Sequence, residues 1–167
     1  MPAQASFDIT SGVDLQEVDN AVNQAKKELA QRYDFKGSKA SIDFKRAENL
    51  IDLIADDEFK MEAVWDILQT RLVRRNVPIK NLTPSDVPPI AGGVVKRTVT
   101  LKQGIDADAA RNIVKFLKDQ KLKKVQAAIQ GDQLRVSSPS KDELQGAIRL
   151  LRGHDFGVEL QFGNYRG

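Results

Sequence analysis

Six polar side chains in the second half of the chain are of types that hold phosphate groups: Lys96, Lys102, Lys124, Gln126, Arg135 and Arg166. Lysine and arginine neutralise phosphate charge, and glutamine adds adaptable hydrogen bonds. They recur with others of their kind at every second position of short apolar-alternating segments: Lys96, Thr98, Thr100 and Lys102; Lys124, Gln126 and Gln130; Gln133, Arg135 and Ser137; Glu159 and Gln161, with Tyr165 in the same register. Alternation of period two puts each set on one face of a strand. A second basic run, Lys115, Lys118, Lys121, Lys123 and Lys124, sits at and beyond the end of a helical pattern, where cations suit the helix dipole.

Other chemistries lack their residues. There is no cysteine, which removes disulfides, thiolate metal sites and cysteine nucleophiles, and fits a reducing cytoplasm. The single histidine, His154, lies in the polar turn Arg152-Gly153-His154-Asp155, with no nucleophile elbow elsewhere. One histidine without cysteine gives no metal-ligand spacing. No Walker A or dinucleotide glycine loop occurs, and Gly92-Gly93 reads as a linker. No enzyme, cofactor or metal is expected.

The elements that must position these residues follow from periodicity. Ser6–Thr10 alternates as a strand; Asp14 caps a helix with the inner stripe Leu15, Val18, Ala21, Val22, Ala25 and Leu29. Strands follow around Ile42 and over Leu50–Ala55. A second helix should turn Phe59, Ala63, Val64, Ile67, Leu68 and Leu72 inward, with Trp65 in the core, and a short strand lies near Ile79–Leu82. The proline- and glycine-rich stretch Thr83–Gly93 reads as a linker. The series then restarts: a strand over Val94–Gln103, a helix through Ala109, Ile113, Phe116 and Leu117, a hairpin turning at Gly131-Asp132, a helix capped by Ser140, and a last strand over Val158–Phe162. Gly12-Val13-Asp14 and Gly104-Ile105-Asp106 occupy equivalent places in the two series.

The expected fold is therefore α+β: a tandem of two ferredoxin-like βαββαβ domains, residues 1–89 and 90–167, each a four-stranded antiparallel sheet with two helices on one face. The terminal strands Ser6–Thr10 and Val158–Phe162 could be exchanged between the two sheets. Residues 1–89 hold 12 Lys+Arg and 15 Asp+Glu, and residues 90–167 hold 14 and 8, so the second half has the basic excess. Ordinary surface charge and an anion-binding face are both compatible with that. The second sheet lacks the central-strand aromatics on which RNA-recognition modules stack bases, so binding through phosphates is expected instead. No apolar run approaches membrane-spanning length, and no basic-then-apolar leader pattern opens the chain.

Five segments, in order along the chain, carry a resemblance: Pro2 with Ser6-Phe7-Asp8-Ile9; Arg32-Tyr33-Asp34-Phe35-Lys36-Gly37; Leu101-Lys102-Gln103-Gly104-Ile105; Ala128-Ile129-Gln130-Gly131-Asp132; and Leu160-Gln161-Phe162-Gly163-Asn164-Tyr165-Arg166. Together they resemble the YajQ family of bacterial nucleotide-binding proteins. The resemblance implies two RNA-recognition-like domains in tandem. It also implies binding of RNA or a nucleotide (cyclic di-GMP, GTP or ATP), and in some members a role of cyclic di-GMP in gene regulation. The competing expectation is a protein-interaction module, transcription cofactor or homo-oligomer built on complementary acidic and basic surfaces.

Overall fold

Asp14 accepts the backbone N–H groups of Gln16 and Glu17 at 3.0 and 3.4 Å, which starts the first helix where its apolar stripe begins. Asp57, Asp106 and Ser140 cap the other three in the same way. The computed structural model describes residues 4–122 and 124–167; Pro2 and Lys123 lie outside the described residues. In chain order it runs β1 (Ala5–Thr10), α1 (Leu15–Gln31), β2 (Ser41–Lys45), β3 (Leu50–Ala55), α2 (Glu58–Arg74), β4 (Leu82–Pro84), β5 (Pro89–Ile90), β6 (Val94–Leu101), α3 (Ala107–Asp119), β7 (Gln126–Gln130), β8 (Gln133–Ser138), α4 (Lys141–Arg152) and β9 (Gln161–Arg166). Three-residue 3-10 turns occur at Tyr33–Phe35, Arg46–Glu48 and Ile79–Asn81.

The class is α+β with two antiparallel sheets, as the periodicity requires. One sheet has the order β2-β3-β6-β4, with β5 also paired to β6; the other has the order β7-β8-β1-β9. α1 and α2 bury Val22, Leu29, Met61, Leu68 and Leu72 against Ile51, Leu53 and Val99 of the first sheet. α3 and α4 bury Ile113, Leu117, Ile148 and Leu151 against Phe7, Ile9, Leu134 and Val136 of the second.

The contiguous division at residues 89 and 90 does not describe this pairing. One compact unit is Val13–Lys102; the other joins the chain up to Gly12 with everything from Gln103 onward. Of the two terminal strands only β1 changes sheet, and its counterpart in the exchange is β6 rather than the last strand. β1 lies between β8 and β9, while β6 lies between β3 and β4. The physical reason is in the stretch read as a linker. Its ends pair with β6, Thr83 opposite Thr100 and Pro89 opposite Val95, and Ala91–Gly93 turns the chain back from β5 into β6. A tight antiparallel hairpin keeps its two strands in one sheet, so β6 stays with β4. The chain passes between units at the two glycine-led repeats, and Gly104 donates its N–H to the Ser11 carbonyl at 2.8 Å.

Three local expectations are also corrected. Phe59 is 83% exposed; the inner stripe of α2 runs through Met61, Val64, Trp65, Ile67, Leu68 and Leu72. The last strand starts at Gln161 rather than Val158. Tyr165 does not share the face of Gln161. The β1–β9 pairing shifts register between Ser6 and Asp8, Asn164 takes a φ of 53°, and the Tyr165 ring packs toward Phe7 with centroids 6.3 Å apart. Trp65 is buried as expected, with the Arg97 guanidinium 5.8 Å from its ring.

Candidate functional site

Each sheet has one polar face, and its composition follows from register. In the unit that contains β1, cross-strand partners share a face, so Gln126, Ser137, Ser6 and Arg166 form one row. Ala128, Arg135, Asp8 and Gly163 form the next. Gln130 with Gln133, and Thr10 with Gln161, continue it. In the unit Val13–Lys102 the rows are Ser41, Ile54 and Lys96; Asp43, Asp52 and Thr98; and Lys45, Leu50, Thr100 and Thr83.

The six candidate residues are therefore divided. Gln126, Arg135 and Arg166 share the polar face of the β1 sheet. Lys124 is exposed in the turn just before β7, with a φ of 61°. Lys96 belongs to the other sheet, and Lys102 follows the end of β6 in that same unit, its carbonyl accepting from the buried Asn81 side chain at 3.0 Å. The charge contrast disappears with the exchange. The unit Val13–Lys102 holds 15 Lys+Arg and 14 Asp+Glu, a balance of +1; the other holds 11 and 9, a balance of +2. Surfaces of opposite sign on the two halves thus lose their basis.

Both polar faces carry the same device, a carboxylate on an inner strand with cations on the strands at either side. Arg135 Nε donates to Asp8 Oδ1 at 3.1 Å, and Arg166 Nη2 to Asp8 Oδ2 at 3.2 Å. Asn164 Nδ2 donates to Asp8 Oδ2 at 2.6 Å, and Arg166 Nη1 to Ser6 Oγ at 2.9 Å. In the other sheet Lys45 and Lys96 approach Asp52 Oδ2 at 3.0 and 3.6 Å, and the Thr98 hydroxyl donates to Oδ1 at 2.9 Å. Sequence periodicity gives the face of each of these residues but not the partner strand, so neither carboxylate was identifiable as the holder of its cations. The two devices are equally open, Lys45 and Lys96 side chains being 43% and 38% exposed; the β1 sheet differs in offering guanidinium forks rather than ammonium groups. Arg135 and Arg166 side chains are 40% and 37% exposed, and the remaining N–H groups of Arg135 have no partner among the described residues.

Burial pushes the Asp8 carboxyl up, but the hydrogen bonds from Asn164 and Arg135 and the charges of Arg135 and Arg166 outweigh it. The result lies below the ordinary value of 3.8. For Asp52, burial is likewise outweighed by the Lys45 and Thr98 hydrogen bonds and the charges of Lys96 and Lys45. A depressed folded value contributes stability that is complete above the unfolded value and is lost as pH falls through the folded one. The denaturant midpoint should therefore fall as the pH drops below the ordinary carboxylate value of 3.8. Asp8→Asn with Asp52→Asn should flatten that acid limb, leaving the part owed to Asp34 and Asp56, which are also depressed.

The strongest aromatic exposure lies elsewhere, in residues the phosphate reading passed over: Tyr33 at 88% and Phe59 at 83%. His154 stacks on Phe116, with centroids 4.7 Å apart. Among the described residues no His, Asp and Glu cluster could hold a metal ion, and no helix is long and apolar enough to cross a membrane.

Comparison with known proteins agrees with the five segments. A family model described as nucleotide-binding protein YajQ-like matches residues 5–166. A nucleotide-binding protein of Solibacter usitatus is 54% identical over 96% of both chains. Those of Acidithiobacillus ferrooxidans and Trichlorobacter lovleyi are 52% and 49% identical over 96% of this chain and 98% of their own.

Proposed function

The chain belongs to the YajQ-like family of nucleotide-binding proteins, and from that premise we propose that it binds RNA, or a nucleotide such as cyclic di-GMP, through phosphate contacts on the polar face of the β1 sheet. Arg135 and Arg166 are the phosphate ligands. Gln126 and Lys124 add contacts along the β7 side, and the protein acts by binding, without catalysing a reaction. The observation that carries this reading is the pairing of both guanidinium groups to Asp8. One carboxylate on an inner strand fixes two forks at 3.1 and 3.2 Å, so little side-chain entropy remains to be lost when a phosphate arrives. Two cations against one carboxylate leave the cluster with a net positive charge. A guanidinium with unused N–H groups suits bidentate phosphate binding.

Calorimetric titration with cyclic di-GMP, GTP, ATP and a short single-stranded RNA tests the reading. RNA held through two phosphate neutralisations should lose about sevenfold in affinity between 50 and 200 mM salt, following a slope of roughly −0.7 per phosphate. Absence of saturable heat with every ligand, or an affinity indifferent to salt, would overturn it.

A further inference from the structure

We propose that the turn Tyr33–Phe35, together with the first turn of α2, is a platform on which an unpaired nucleobase stacks. This site lies in the unit Val13–Lys102 and is separate from the phosphate-binding face proposed above. Tyr33 and Phe59 are large apolar rings that the fold leaves 88% and 83% exposed. The backbone beside them is braced, although the rings themselves are not buried. The Lys60 ammonium donates to the Asp34 carbonyl at 2.6 Å, which brings the residue after Phe59 against the residue after Tyr33. Beneath the turn the Phe35 ring is buried, with Lys60 Nζ 5.0 Å and the Arg32 guanidinium 5.6 Å from its centroid. Arg32 also clasps the Asp34 carboxylate with two bonds of 3.0 and 2.9 Å. The turn is thus braced on both sides while its neighbouring aromatics face solvent.

The surrounding charge selects the occupant. Lys26, Lys36 and Lys39 lie on the same stretch of chain as Arg32, and a cleft of about 330 Å³ beside the turn is lined by Lys26, Leu29, Phe35, Ser38 and Ser41. Of the nearby carboxylates three are engaged, while Glu58 and Glu62 make the Phe59 side the more acidic one. Asp34 is held by Arg32, Asp56 accepts from Ser38 and from the Lys39 N–H, and Asp57 caps α2. The exposed Tyr33 ring on the basic stretch, with a cleft within the size range of small-ligand sites behind the same turn, fits a base with its attached phosphate on the lysine side. An apolar protein segment would gain nothing from the lysines. The site would favour an oligonucleotide, which spans more than one base, over a mononucleotide.

The experiment uses the full chain and a single-stranded RNA of about twelve nucleotides carrying 2-aminopurine, whose fluorescence is quenched on stacking. Wild type should quench it saturably. Tyr33→Ser with Phe59→Ser should weaken that binding ten- to a hundredfold, since stacking on aromatics contributes on that scale per base. Residues this exposed can be replaced with an unchanged thermal transition, which serves as the folding control. Arg135→Gln with Arg166→Gln should lower overall affinity yet keep the quenching at saturation, so the platform and the phosphate face can fail separately. Equal quenching by the Tyr33/Phe59 variant overturns the platform. So does an RNA-independent dimer that the same two substitutions dissolve, which would assign the patch to a second copy of the chain.

Discussion

Arg135→Gln with Arg166→Gln should lower nucleotide affinity by a hundredfold or more. Hydrogen bonds to charged groups contribute about 1.5–3 kcal/mol each, and at least two are removed. Glutamine is the informative replacement. Asp8 is 7% exposed, and reversing both charges to glutamate would leave it buried among like charges, so the variant would lose its fold along with its ligand. Glutamine removes the cation and keeps a side-chain donor for the Asp8 carboxylate. Asn164 keeps its own bond to Asp8 at 2.6 Å. Unchanged affinity in this variant, with an unchanged unfolding transition, would sink the proposed face. The parallel pair Lys96→Gln with Lys102→Gln tests the other unit. If that pair carries the loss, phosphates are read there.

Much of the architecture is written in local patterns. Caps at Asp14 and Ser140, the strand Leu50–Ala55 and the two-residue turn Gly131-Asp132 follow from residue type and spacing, because capping and hairpin geometry are settled within a few residues. What the pattern leaves open is partnership. Alternation in β1 and β6 fixes which side chains face the helices, and it is equally satisfied in either sheet. The exchange of these two strands puts Lys96 and Arg135 in different sheets and levels the charges of the two units. It also brought Asp8 beside Arg135, 127 residues apart in sequence. Tyr165 was misplaced for a different reason: the register shift at Asn164 inserts a residue that a strict period of two cannot anticipate. Phe59 is apolar and roughly one turn before Ala63, which suggests an inner position. The stripe centred on Met61, Trp65 and Leu68 leaves the opening turn of α2 pointing outward.

Gly104→Val should cost about 3 kcal/mol or more of stability, read as a lower urea midpoint. Gly104 has a φ of 80°, where a β-branched residue is strained whatever surrounds it. Here the space is also taken. A Cβ would stand 2.5 Å from Asp132 Oδ2, 2.8 Å from its Cβ and 2.9 Å from its Cγ. Asp132 has little room to withdraw, because its carbonyl accepts the Ile105 N–H at 2.8 Å and it closes the hairpin between β7 and β8. Gly104 in turn is tied to the Ser11 carbonyl at 2.8 Å. Gly131→Val separates the two contributions: its φ is 62°, and nothing lies within 4 Å of the added Cβ. That variant should lose only the backbone strain, about 1–2 kcal/mol. Equal losses at both positions would mean that the contact with Asp132 is slack and that the second crossing between units is less constrained than its geometry implies. A much larger loss at Gly104 would mean that the contact with Asp132 adds to the backbone strain, so that the turn between β6 and α3 admits no side chain where the β7–β8 hairpin packs against it.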